Sequence, residues 1–151
     1  MAEVTLKRLR PLMDSMAQCA MAAYPNEGCG VVVDRDGQLD VVCCENIQDR
    51  LHRSDPTHYP QTAQAAYHLD PMVLCDLEGT GAELRVIFHS HPDRGAYFSE
   101  EDAVGALGCD VADVPMWPGV DYLVLSARAN GVDDAKLFRW SSESNRYEEH
   151  I

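Results

Sequence analysis

The stretch HSHPDRGAYFSEED, residues 89–102, directly follows the apolar run LRVIF, residues 84–88, and the two together decide how the chain is read. LRVIF is short, rich in apolar side chains and followed by polar ones, which predicts a buried strand leading into a polar loop over 89–98. His89 and His91 stand two positions apart, so in extended backbone both rings leave the same side and can share one metal ion. Ser99 and Asp102 open the next expected helix, over 99–107, in a spacing that is also a capping pattern, with Ser99 as N-cap and Asp102 reaching back. The joint pattern H-x-H-x7-S-x-x-D arises by chance in a chain of this length on the order of once in several thousand. Two neutral imidazoles and one carboxylate are three protein ligands, which leaves a fourth tetrahedral position for water, as in a catalytic zinc site. Such a metal lowers the pKa of its water toward ~7 and polarises a scissile carbonyl. A general base and an oxyanion donor are still required, and Ser99, one turn from Asp102, can supply the donor. The same donor set also suits iron or manganese.

Outward from this centre, Val4 and Leu6 alternate with polar neighbours and predict a short first strand. Pro11 suits the first position of a helix whose core stripe is Leu9, Met13, Met16, Ala20 and Ala23 and which Tyr24-Pro25-Asn26 terminates. Strands follow at 29–33 and 39–44, joined by the Asp34-Arg35-Asp36-Gly37 turn, and both are expected to lie centrally in a sheet. Residues 45–64 read as a long exposed loop or a disordered one. Residues 65–69 read as a strand, Asp70-Pro71 opens a helix to about Leu77, and Gly79-Thr80-Gly81 stops it. After the 99–107 helix come the connection VPMWPG, residues 114–119, and strands at 122–126, 136–140 and 146–149. The order β-α-β-β-β-α-β-α-β-β-β lacks a regular βαβ repeat, so the expected class is α/β in the mixed-sheet, α+β sense, with helices flanking the sheet.

A length of 151 residues predicts one domain, residues 1–151, with its own core. The net charge of −13 repels phosphate backbones and anionic membrane surfaces, so neither nucleic acid nor membrane is an expected partner. Cys19, Cys29, Cys43, Cys44, Cys75 and Cys109 form no C-x-x-C, and MAEVTLKRLR has no apolar signal core. A cytoplasmic, reduced protein with buried free thiols is the resulting expectation. His52, His58 and Tyr59, and the segment Met116-Trp117-Pro118, are candidate substrate contacts, although ordinary loop packing accounts for each.

The stretch HSHPDRGAYFSEED, together with YPNEGCGVVV at residues 24–33, resembles the signatures of the JAMM (MPN+) zinc metalloproteases, most closely the small stand-alone prokaryotic type. The resemblance implies an MPN/JAB-like fold, a curved mixed β-sheet flanked by helices, similar to the deaminase architecture. It implies one zinc per chain held by His89, His91 and Asp102, with Glu27 as base to the zinc-activated water and Ser99 beside it. Without the resemblance Glu27 reads as a solvated residue at a loop-to-strand junction. Deaminase chemistry is not implied, because the chain has neither H-x-E nor P-C-x-x-C. The implied reaction is hydrolysis of the peptide or isopeptide bond after the C-terminal tail of a ubiquitin-like, sulfur-carrier-type protein, and a homodimer stays open. Phe98, where many small relatives have proline, is expected to pack as a lid, and Asp93-Arg94 is not a diagnostic pair. Two other readings stand beside this one: a metal-dependent hydrolase of another substrate class, against which the length argues, and a non-catalytic interaction scaffold.

Overall fold

Six strands, β1 (Cys29–Arg35), β2 (Gln38–Cys44), β3 (Glu83–Pro92), β4 (Asp121–Arg128), β5 (Gly131–Ser141) and β6 (Arg146–Glu149), form one sheet in the computed structural model, which describes residues 3–108 and 114–151. The strand order is β2-β1-β3-β4-β5-β6. β3 and β4 pair in parallel and all other neighbours are antiparallel, which is the mixed α+β architecture expected. Among the described residues the helices are α1 (Leu6–Leu9), α2 (Met13–Ala23), α3 (Gln48–Ser54), α4 (Pro71–Gly79) and α5 (Glu100–Ala106), with a 3-10 turn over Arg10–Leu12.

Strand pleating gives the sheet two apolar faces, each covered by helices. Val32, Val86, Phe88, Leu123, Leu125 and Leu137 pack against Leu9, Met16 and Ala20 of α1 and α2. Val31, Val33, Ile87, Tyr122, Val124 and Phe138 face the other way, toward Leu74 of α4 and Ala106 of α5. Asp70 caps α4 by accepting the Met72 N–H at 3.0 Å, with Pro71 at the first turn as the sequence predicts. At one end of the sheet Arg139 of β5 donates to Asp121 Oδ2 at 2.6 Å and to the Val4 carbonyl at 2.8 Å, and meets His150 Nε2 at 2.9 Å.

Several expectations are corrected. Residues 4–6 form no strand, because the Thr5 hydroxyl accepts the Arg8 N–H at 3.1 Å and starts α1 there. Pro11 sits in the 3-10 turn between two helices, not at the start of one. β2 is an edge strand. The 45–64 loop contains α3, with Asp49 in its first turn and His52 and Arg53 in its last, the favourable polarity for a helix dipole. Residues 65–69 are not a strand, since the Ala66 and His68 backbone groups bond to Asn46 and Ile47. β3 does not end at Phe88 but runs through both histidines to Pro92. Cys19 and Cys43 are joined in a disulfide, not free, because the β2 pleat turns Cys43 toward α2 at a Cα separation of 5.6 Å. Cys29 is buried, Cys44 half-buried and Cys75 exposed, while Cys109 lies outside the described residues. Among the described residues no helix is long and apolar enough to cross a membrane.

Gly30, on β1 between β2 and β3, has no room for a side chain. A Cβ added there would stand 2.5 Å from the Val42 carbonyl oxygen and closer still to the Phe88 ring. Gly30→Ala is expected to lower the unfolding free energy by about 1–3 kcal/mol or more, read as a shifted urea midpoint. An unchanged midpoint would mean that Phe88 and β2 yield without cost.

Candidate metal centre

The pleat that points Ile87 toward α4 and α5 continues along β3 and points His89 and His91 the same way. Both imidazoles are buried, and their Nε2 atoms lie 3.2 Å apart. The start of α5 delivers the third group. Ser99 is the N-cap: its hydroxyl accepts the Asp102 N–H at 3.0 Å while its own N–H donates to Asp102 Oδ2 at 3.0 Å, a complete capping box. Asp102 Oδ2 also lies 3.1 Å from each histidine Nε2. Capping and site assembly are therefore achieved by the same two residues.

Glu27 joins from the segment before β1. Cys29 is the register partner of His89, and the antiparallel pairing continues as the Ser90 N–H donates to the Gly28 carbonyl at 2.9 Å. The Ser90 hydroxyl in turn accepts the Gly28 N–H at 2.7 Å. The Glu27 N–H donates to the Ala63 carbonyl at 2.7 Å, and its carbonyl accepts from Asn46 Nδ2 at 2.9 Å. Glu27 is 1% exposed, not the solvated residue that its local sequence suggests. One ligand atom from each of Glu27, His89, His91 and Asp102 falls within 4.8 Å of the others.

The donor set fits a metal ion. His91 Nδ1 lies 3.0 Å from the Gly95 carbonyl and so carries the proton, which leaves Nε2 with its lone pair. That lone pair faces His89 Nε2 and the Asp102 carboxylate, and one proton can bridge only one of those pairs. A divalent cation among them satisfies all three at once. Glu27 Oε2 accepts from Arg94 Nη2 at 2.7 Å, while Oε1 is buried with no hydrogen-bond partner among the described residues. Burial raises the Glu27 carboxyl above its ordinary range against the lowering influence of His89, Arg94 and His91. Burial would raise Asp102 too, but the imidazoles of His89 and His91 and the Ser99 N–H hold it well below the usual carboxylate range.

Sequence reading missed four contributors: Ser90, Asn46, Tyr67 and Arg94. Tyr67 stacks on His89 with ring centroids 4.2 Å apart. Arg94, which sequence reading set aside as part of an undiagnostic pair, holds Glu27 across 67 residues of sequence, and Asp93 accepts the Tyr24 hydroxyl at 2.8 Å. The only local signal was that Ser90, Asp93 and Arg94 lie inside or beside the histidine motif. Phe98 is not a lid. Its ring packs into the aromatic core 5.5 Å from Tyr122, 5.3 Å from Phe138 and 5.2 Å from Tyr147. Met116 and Trp117 line a cavity of about 320 Å³ that reaches Asp102, together with Tyr67, Leu74 and Tyr122. His52, His58 and Tyr59 stay outside the cluster, where His52 Nδ1 meets the Tyr59 carbonyl at 2.8 Å.

A model of the family described as prokaryotic homologs of the JAB domain matches residues 9–135. Tail tip assembly protein K of Escherichia phage N15 is 28% identical over 120 residues, covering 77% of this chain and 43% of that protein. The chain therefore spans less than half the length of that relative. A solution structure from Desulfitobacterium hafniense superimposes with a TM-score of 0.63 at 24% identity, covering 93% of this chain and 86% of that one. One from Salinibacter ruber gives a TM-score of 0.58 at 19% identity, with coverage of 93% and 86%. Both share the fold.

Titration with a divalent ion should saturate at about one per chain, and His89→Ala and Asp102→Ala should each abolish tight uptake by elemental analysis after dialysis. Unaltered uptake in both variants would place any bound ion elsewhere.

Proposed function

The chain belongs to the family of prokaryotic homologs of the JAB domain, and on that premise we propose that it is a zinc-dependent peptidase or isopeptidase. Its proposed substrate is a ubiquitin-like protein of the sulfur-carrier kind, cut in the cytoplasm at the peptide or isopeptide bond that follows the C-terminal tail. The activity is carried by one domain spanning the chain. The observation that carries this reading is the buried grouping of Glu27 with two imidazoles and a second carboxylate, in which Glu27 Oε1 has no hydrogen-bond partner among the described residues.

His89, His91 and Asp102 would hold the zinc, which when bound supplies a Lewis acid for the scissile carbonyl and makes water acidic enough to be deprotonated near neutral pH. Glu27 then acts as general base. Arg94 fixes Oε2 and so leaves Oε1 to take the proton from water and pass it to the leaving amine. Ser99 uses its hydroxyl oxygen to accept the Asp102 N–H, and its O–H proton is left to stabilise the oxyanion. The apolar cavity against Asp102 offers Trp117, Met116 and Leu74 to an extended substrate tail. Burial of all four polar groups excludes bulk water and strengthens each electrostatic contact.

Glu27→Gln should keep the metal and lose hydrolysis of a ubiquitin-like carrier bearing a C-terminal extension, by roughly 10²–10⁴-fold. Ser99→Ala should lower turnover and also weaken the α5 cap by about 1 kcal/mol, seen as a lower melting temperature. Full activity in Glu27→Gln would remove it from the mechanism. A wild-type protein that binds zinc but cuts no such carrier would favour the scaffold reading.

A further inference from the structure

His91 is oriented as metal-ligating imidazoles commonly are, by a hydrogen bond from its second ring nitrogen, here to the Gly95 carbonyl. Among the described residues His89 has no equivalent. Its Nδ1 is buried and lacks a hydrogen-bond partner among the described residues. Its ring instead lies nearly flat on Tyr67, with centroids 4.2 Å apart and planes inclined by 17°. His91 meets the same ring edge-on, with centroids 5.0 Å apart and planes inclined by 61°.

Tyr67 lies in no helix or strand, yet its backbone is held on both sides. The Ala66 carbonyl accepts from Asn46 Nδ2 at 3.1 Å, and the His68 N–H donates to Asn46 Oδ1 at 3.1 Å. The His68 carbonyl accepts the Ile47 N–H at 3.0 Å. Asn46 Nδ2 also donates to the Glu27 carbonyl at 2.9 Å, so one amide fixes both the Glu27 backbone and the segment that carries Tyr67. Strand-like sequence at 65–69 is thereby kept out of the sheet and made into a wall for the imidazole.

From these contacts we infer that Tyr67 is a positioning residue of the metal centre, whose ring face holds the His89 imidazole in the plane that brings Nε2 to His91 and Asp102. The inference rests on the reading of His89, His91 and Asp102 as metal ligands. Stacking can do what the missing hydrogen bond does elsewhere. An imidazole that lends its lone pair to a cation becomes electron-poor, and the electron-rich phenol face attracts it more strongly. The aromatic face, not the hydroxyl, is the working part, so phenylalanine should replace tyrosine and an aliphatic side chain should not.

The test compares wild type with Tyr67→Phe, Tyr67→Leu and Tyr67→Met. Zinc affinity of the metal-free proteins is measured by competition with a chromophoric chelator, and circular dichroism checks that each is folded. Tyr67→Phe should bind zinc within about threefold of wild type, since the stacking face is kept. The aliphatic variants should bind roughly 10–100-fold more weakly, the usual cost of losing a residue that orients a ligand. Tyr67→Met serves as the non-aromatic comparison if Tyr67→Leu does not fold. Folded aliphatic variants that bind as tightly as wild type would overturn the inference, as would a Tyr67→Phe protein as weak as they are. Failure of the wild type to bind zinc would overturn the metal-centre reading itself, and this inference with it.

Discussion

Everything at the site depends on the doubled hydrogen bond between Ser90 and Gly28. Ser90 stands between the two histidines, and by the alternation of the strand its side chain leaves the opposite face. Its N–H reaches the Gly28 carbonyl and its hydroxyl takes the Gly28 N–H, so the residue after Glu27 is gripped by the residue between the two histidines. With Cys29 opposite His89, two further steps of antiparallel register set Glu27 across from His91, on the same face. α2 closes this joint from behind: a Cβ on Gly28 would stand 2.9 Å from Ala20 Cα and from the Cys19 carbonyl oxygen. A carboxylate from one end of the chain and an imidazole from its middle thus meet without either resting on a flexible loop.

Asp102 carries the second constraint. Its Oδ2 accepts the Ser99 N–H and also faces both imidazoles, so the atom that caps the start of α5 is also the one that joins the donor cluster. The N-terminal end of a helix favours a carboxylate by its partial positive charge. Glu100 and Glu101 share that first turn, but Asp102 alone of the three is buried. The competing readings of Ser-x-x-Asp as cap and as site were one arrangement. Changing either residue disturbs the helix start and the donor cluster together.

Much of this was legible from local sequence. The β1–β2 hairpin announced itself through Asp36-Gly37 and α4 through Asp70-Pro71. The four residues of the cluster were identifiable as well, three from spacing and Glu27 from family resemblance. What escaped depends on partners distant in sequence. The strand-like look of 65–69 gives no sign that Asn46 will take the backbone groups a neighbouring strand would need. Cys19 and Cys43 are 24 residues apart, Glu27 and Arg94 are 67, and no periodicity links either pair. Phe98 was expected as a lid only by comparison with similar proteins, and three aromatic rings from β4, β5 and β6 draw it into the core instead.

Arg139 gathers distant parts of the polypeptide at a single guanidinium: the carbonyl of residue 4 at one nitrogen, and the imidazole of residue 150 at another. This knot lies beside Asp121, at the start of β4, whereas the partner of His91 is Ser126 near that strand's far end. Residues 4 and 150 are close enough for a short peptide to bridge them. A circularly permuted chain, rejoined there and opened at the exposed Asp36-Gly37 turn, would reverse the order in which Glu27 and the histidine strand are synthesised while keeping every contact between them.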